Sequence, residues 1–190
     1  MPITRLLPML TILSLALGCG SGSGLDPDLE LNDLRTDDAE ELCNWVQSRV
    51  DKVFTPKKQQ ELSCTVEGVV AASSVDRPEL CEDAYKLCMD DSTPANYFDP
   101  LPCHRVRADD IDRDCRATVG EFEACILAIE AELKNVMEDF TCDHIGSSRS
   151  RMNNLRDRIE DLFEDDDDER HPLEDCRKVA RNCEDFVFWD

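Results

Sequence analysis

The stretch Thr118-Val119-Gly120-Glu121-Phe122-Glu123-Ala124-Cys125-Ile126-Leu127-Ala128-Ile129-Glu130-Ala131-Glu132-Leu133-Lys134-Asn135-Val136-Met137-Glu138-Asp139-Phe140 decides the fold class. Thr118, followed three residues later by Glu121, is a capping box: hydroxyl and carboxylate each satisfy a backbone amide that the first turn of a helix leaves without a partner. Behind it Phe122, Cys125, Ile126, Ile129, Leu133, Val136, Met137 and Phe140 recur at steps of three and four, the spacing that lays an apolar stripe along one side of a helix. The pattern predicts a helix over 119–140 with its stripe against a core.

Working outward, Leu42, Cys43, Val46, Val50 and Val53 share a face of a helix predicted from Asp37 to Phe54. Trp45 lies at the margin of that face, and Asp37-Asp38 suits the positive end of the helix dipole. Two further helices, Pro78 to Asp90 and Pro172 to Phe186, carry Cys81-x6-Cys88 and Cys176-x6-Cys183, each with a proline near the first turn where its missing amide is harmless. A last helix is predicted from Ser148 to Phe163, with Met152, Leu155, Ile159 and Leu162 at helical spacing. Pro94, Pro100 and Pro102 make Ser92 to Arg113 a loop. Of seven glycines only Gly68, Gly120 and Gly146 follow residue 34, and no alternating apolar run of strand length appears, which argues against a hairpin-rich sheet. The expected fold is all-α, a small disulfide-crosslinked bundle of four to five helices over 35–190, a common size for one domain.

The N-terminus reads as export machinery. Arg5 precedes the apolar run Leu6 to Leu17, and residues 1–18 read as a signal peptide. That run is shorter than the roughly 20 residues a membrane-spanning helix needs. Ala16-Leu17-Gly18-Cys19 resembles the bacterial lipobox, which implies cleavage before Cys19 and lipid on its thiol. It departs from the commonest form, in which leucine stands three residues before the cysteine and a small residue follows it. The alternative is an ordinary signal peptide with Cys19 in a disulfide. By resemblance to the sorting rule of Gram-negative lipoproteins, Gly20 rather than Asp after the cysteine implies outer-membrane delivery, facing periplasm or cell surface. Gly20-Ser21-Gly22-Ser23-Gly24 has the composition of flexible coil, and with the acidic stretch Leu25 to Leu34 it makes 19–34 an expected tether.

Setting Cys19 aside, ten of the eleven cysteines remain: Cys43, Cys64, Cys81, Cys88, Cys103, Cys115, Cys125, Cys142, Cys176 and Cys183. An even number in an exported chain reads as five disulfides. A cysteine zinc site would need closely spaced pairs such as C-x2-C, which are absent. Within an intact helix, residues seven apart have Cα atoms about 10.5 Å apart, while a disulfide tolerates about 4.4–6.8 Å. Cys81 therefore cannot bond Cys88, nor Cys176 bond Cys183, and each should reach another helix or loop. The remaining pairings stay open. The formal charge of -22, one unit more negative once Arg5 is removed, opposes compaction and argues against nucleic acid or anionic head groups as partners.

Leu42-Cys43-Asn44-Trp45 on the opening helix, the segment Cys115 to Cys125 and the closing cysteine pair resemble a group of cysteine-rich helical lipoproteins of Gram-negative bacteria, a group with no assigned activity. The resemblance implies fold and location only. His144 has Asp143 before it and Ser147 and Ser148 behind, but no G-x-S-x-G elbow accompanies them, and a triad is defined by geometry rather than by neighbours in sequence. His104 and His171 sit beside loop prolines. The zinc-protease pattern H-E-x-x-H is absent. No catalytic, cofactor or metal residue is assigned. The run Glu164-Asp165-Asp166-Asp167-Asp168-Glu169 has hard oxygen ligands but lacks the spacing of a calcium-binding loop, so it reads as a solvated linker. Phe186-Val187-Phe188-Trp189 reads as a tail packed on the core. The expected role is a non-enzymatic, lipid-anchored envelope protein, a structural or interaction module with the membrane and an envelope protein as partners. Low-affinity binding of divalent cations and secreted hydrolysis are the alternatives.

Overall fold

The computed structural model describes residues 22–91, 100–162 and 171–183, and among these it holds seven α-helices and no strand. They are α1 Thr36–Val53, α2 Pro56–Val75, α3 Glu79–Asp91, α4 Val119–Asp139, α5 Cys142–Ile145, α6 Arg149–Glu160 and α7 Glu174–Asn182. α4 begins as its capping box dictates. The Thr118 hydroxyl accepts from the Glu121 amide at 3.2 Å, and the Glu121 carboxylate accepts from the Thr118 amide at 3.1 Å. Its stripe from Val119 to Met137 is buried. α1 opens on Asp38, whose carboxylate accepts from the Arg35 backbone amide and from its guanidinium. α7 stops at Asn182, short of the expected end, and Cys183 is extended.

Two helices exceed the expected four to five, α2 and the single turn α5. α2 starts with Thr55 as cap and Pro56 in the first turn, where a missing amide is harmless. It carries no single apolar stripe. Gln59, Gln60, Cys64, Thr65, Gly68, Val69 and Ala72 are buried, while Val66, Val70 and Val75 are exposed. The buried polar groups are satisfied locally: the Gln59 amide donates to the Phe54 carbonyl at 2.7 Å, and the Thr65 hydroxyl donates to the Glu61 carbonyl at 2.8 Å. α3 lies so close to α2 that a Cβ at Gly68 would sit 2.6 Å from the Cys81 carbonyl oxygen. Only glycine permits that approach. α5 is capped by Thr141, whose hydroxyl accepts from the His144 amide.

The stretch Leu25 to Leu34, expected within a tether, instead packs on the bundle. Leu31 is 1% exposed and Leu34 4%, and Leu25 and Leu29 rest against the same core. The Leu31 amide donates to Ala117 and the Val119 amide to Leu29, tying this segment to the start of α4. Its leucines at 25, 29, 31 and 34 outweigh its acidic residues, because burying such side chains stabilises by about 1.5–3 kcal/mol each.

The interior divides into two clusters. The larger gathers Leu31, Leu34, α1, the inner face of α4, Leu162 and α7. The smaller gathers Val69 and Ala72 of α2, Cys81 of α3, Val136 of α4, Cys142 and Ile145 of α5, and Leu155 of α6. α4 and α6 touch both. Between the two blocks lies a groove.

Candidate functional site

All ten cysteines pair: Cys43–Cys103, Cys64–Cys88, Cys81–Cys142, Cys115–Cys183 and Cys125–Cys176, with Cα atoms 4.0–5.6 Å apart. Cys81 and Cys88 turn to different partners, as do Cys176 and Cys183. Both ends of α3 are thereby clamped, one to α5 and one to α2, and α7 is clamped to α4 and to the segment preceding it. Cys19, the acidic run 164–169 and the aromatic tail 186–189 lie outside the described residues.

The structure does not gather the histidines into a reactive group. His144, on α5, is exposed with Nδ1 3.5 Å from an Asp139 carboxylate oxygen. Ser148 caps α6 through its hydroxyl, and the Ser147 hydroxyl donates toward Asp76 at 3.4 Å. His171 Nδ1 accepts from the Leu173 amide at 3.1 Å, and His104 lies exposed in a short 3₁₀ turn, Cys103–Arg105. Among the described residues, no cluster of three or more histidine, cysteine or carboxylate side chains is arranged to hold a metal.

What the sequence did not reveal is the groove, a cavity of about 890 Å³ open on one side. Ile126, Ile129 and Leu133 of α4 form its floor; Val46, Val50 and Val53 of α1 form one wall. Leu62 and Val66 of α2 and Met152 and Ile159 of α6 form the other, with Phe54 and Phe140 also lining it. α4 presents it from Ile126 to Phe140, about 21 Å at 1.5 Å per residue. Three of its lining side chains ionise: Arg49, Arg156 and Glu130. Glu130 is buried, 3.5 Å from the Arg49 guanidinium and 2.5 Å from the Lys134 ammonium, and Arg49 stacks over Trp45 at 5.1 Å. Arg156 stands at the open rim beside Glu160 and Asp157. A second, smaller cavity of about 230 Å³ between α2, α3, α5 and the end of α4 has a mixed lining, with Lys58 and Glu61 paired at 2.9 Å.

No family model, curated protein or solved structure matches this chain. What the groove can do follows from its own chemistry. Cavities of about 300–1,000 Å³ with mostly apolar linings and a few placed polar groups are the usual shape of small-molecule sites. The groove has that size and that lining. Its residues were visible in the sequence as apolar stripes on α1 and α4, but a stripe that packs a core and one that walls a groove have the same period. Leu62 and Val66 belong to α2, which the apolar pattern does not announce.

Proposed function

We propose that this chain is a non-enzymatic, lipid-anchored cell-envelope protein acting as an interaction module, with the groove between α1, α2, α4 and α6 as its binding face. The groove itself carries this reading: an apolar recess between the two interior clusters that is open among the described residues. Acid–base catalysis needs a group that can exchange a proton within hydrogen-bond reach of a substrate. In this groove the one carboxylate is already held by two cations, which favours binding over reaction.

The five disulfides belong to an oxidising, exported environment. No helix among the described residues is long and apolar enough to cross a membrane. A lipid on Cys19 would supply attachment, and Gly20 fits outer-membrane delivery. The packed stretch Leu25 to Leu34 would then bring the bundle close to the membrane surface, since only residues 20–24 separate it from Cys19.

Two experiments test the reading. Cys19→Ala should abolish palmitate labelling and release the protein from membranes; continued labelling would remove the anchor. A photo-cross-linking amino acid at Val66, on the groove wall, should give discrete adducts in intact cells, whereas one at the exposed Glu67 should not. Equal cross-linking at both positions would remove the groove as the binding face.

A further inference from the structure

We propose that the groove holds an acyl chain of the protein's own Cys19 lipid whenever the protein is off a bilayer, so that membrane attachment clears the binding face. The inference rests on the two readings above, lipid on Cys19 and the groove as a binding face, and adds how the first controls the second. It is carried by the path of the chain that leads to Cys19. The Val119 amide donates to the Leu29 carbonyl and the Gly120 amide to the Pro27 carbonyl, each at 2.9 Å. Nearly one turn farther along α4, the Glu123 carboxylate accepts from the Ser23 amide. It also lies against Gly22, where an added Cβ would sit 2.7 Å from Glu123 Oε2. Followed back toward Cys19, the chain therefore climbs α4 from Val119 to Glu123, in the direction of the groove.

Glu123 and Glu130 are seven residues apart, nearly two whole turns, so they share a face of α4 about 10.5 Å apart along its axis. Glu130 and the intervening Ile126 both line the groove. Cys19 is three residues from Gly22, a reach of about 10 Å for extended chain. Its thiol is thus tethered within reach of the groove's near end. An acyl chain on that thiol enters as an intramolecular ligand, at the effective concentration of about a millimolar that a short tether gives. Val50, Leu62, Val66, Ile129 and Leu133 offer it apolar surface that leaves water as it binds. The other end of the protein is differently placed. Cys183 is bonded to Cys115, and the neighbouring Asn182 side chain donates to Glu121 at 3.4 Å. Glu121 is nine residues from Glu130, about two and a half turns, which sets the two on opposite sides of α4. Residues 184–190 leave from that far side, so the N-terminal route is the one that leads to the groove. A bilayer offers the acyl chain a larger apolar sink, and insertion there empties the groove for a partner.

The test feeds cells a palmitate analogue with a terminal diazirine and purifies the full-length, oxidised protein. Irradiated in detergent-free buffer, the lipid on Cys19 should cross-link within its own molecule to peptides carrying Leu62 to Val66 or Ile126 to Leu133. Irradiated in vesicles of phosphatidylethanolamine and phosphatidylglycerol, it should cross-link to phospholipid, with groove adducts lower by about tenfold. Val66 is 38% exposed, so Val66→Asp leaves the fold intact. It places a carboxylate in the apolar wall and should lower the adducts in buffer by about threefold or more. Glu123→Ala frees Ser23 without touching the groove and should act in the same direction, with incorporation of the analogue unchanged. Adducts confined to other peptides, adducts joining two molecules, adducts undiminished in vesicles, or adducts that neither variant lowers would overturn the inference and leave the anchor standing. If no analogue is incorporated, the anchor falls and this inference with it, while cross-linking from Val66 still decides whether the groove is a binding face.

Discussion

Replacing Gly68 by alanine sets two physical effects against each other, and the structure says which prevails. In a helix interior the exchange ordinarily stabilises by about 1 kcal/mol, because alanine loses less backbone freedom on folding. Here the added methyl would meet the Cys81 carbonyl oxygen at 2.6 Å, the Cys81 sulfur at 3.0 Å and the Cys142 sulfur at 3.3 Å. None of these is the loose end of a side chain. One is backbone of α3, and the other two are locked together in the Cys81–Cys142 bridge. Overpacking costs about 1–3 kcal/mol, and neighbours this rigid place the cost near the upper end. The net loss is then about 2 kcal/mol, which for a domain of this size lowers Tm by about 4–8 °C. Thermal melts followed by circular dichroism without reductant measure it. Ser74→Ala, exposed on the same helix, serves as control and should stabilise by a few tenths of a kcal/mol. A Gly68→Ala protein that melts at or above the unsubstituted one would refute the close approach of α2 and α3.

Thr118→Ala removes the hydroxyl half of the α4 capping box and should cost about 1 kcal/mol by guanidinium denaturation; an unchanged midpoint would argue against the cap. Nonreducing peptide mapping should recover the five bridges described above, and a peptide linking Cys81 to Cys88, or Cys176 to Cys183, would contradict the fold. The Glu132 carboxyl is held below the usual carboxylate range, first by the hydrogen bond from the Arg158 guanidinium at 2.6 Å and next by the Asn135 side chain. A depressed carboxyl favours the folded state above its ordinary value of about 4.3. That contribution is lost as pH falls through the lower folded-state value, and solvent screening keeps it small. Arg158→Met should return Glu132 toward the ordinary range in an NMR titration, and an unshifted titration curve would remove the α4–α6 contact as its cause.

The sequence made α4 legible because its cap and stripe agree: Thr118 and Glu121 fix its start, and one face from Phe122 to Met137 meets one core. α1 was legible from its apolar face, with Asp37-Asp38 suited to the start of the helix, while its Arg35–Asp38 cap was not read from the sequence. α2 was not, since it is approached from several sides and fills its contacts with Gln59, Gln60, Thr65 and Gly68 rather than with an apolar row. The helical rise excluded a bond between Cys81 and Cys88, both inside α3, whereas Cys183 lies just past α7, so there the absence of a bond to Cys176 does not follow from helix geometry; the outside partners stayed open because pairing is set by tertiary neighbours. Leu25 to Leu34 was misread as tether because its acidic residues mask four leucines whose destination is the start of α4. The groove stayed hidden because it exists only where stripes from α1 and α4 face helices from the other block.

The distribution of the crosslinks has a mechanical consequence. Cys64–Cys88 and Cys81–Cys142 bind α2, α3 and α5 into one unit, whereas Cys43–Cys103, Cys115–Cys183 and Cys125–Cys176 brace α1, α4 and α7. No bridge spans the seam from α1 or α4 to α2 or α6. The shortest chain crossings are Phe54-Thr55 and Phe140-Thr141, the junctions that follow α1 and α4. Across the seam the halves are joined by the backbone and by packing, with Val136 of α4 in the smaller cluster and Ile159 of α6 against both, and not by a sulfur–sulfur bond among the described residues. Oxidation braces each half from within, while short chain junctions and non-covalent packing hold one half against the other.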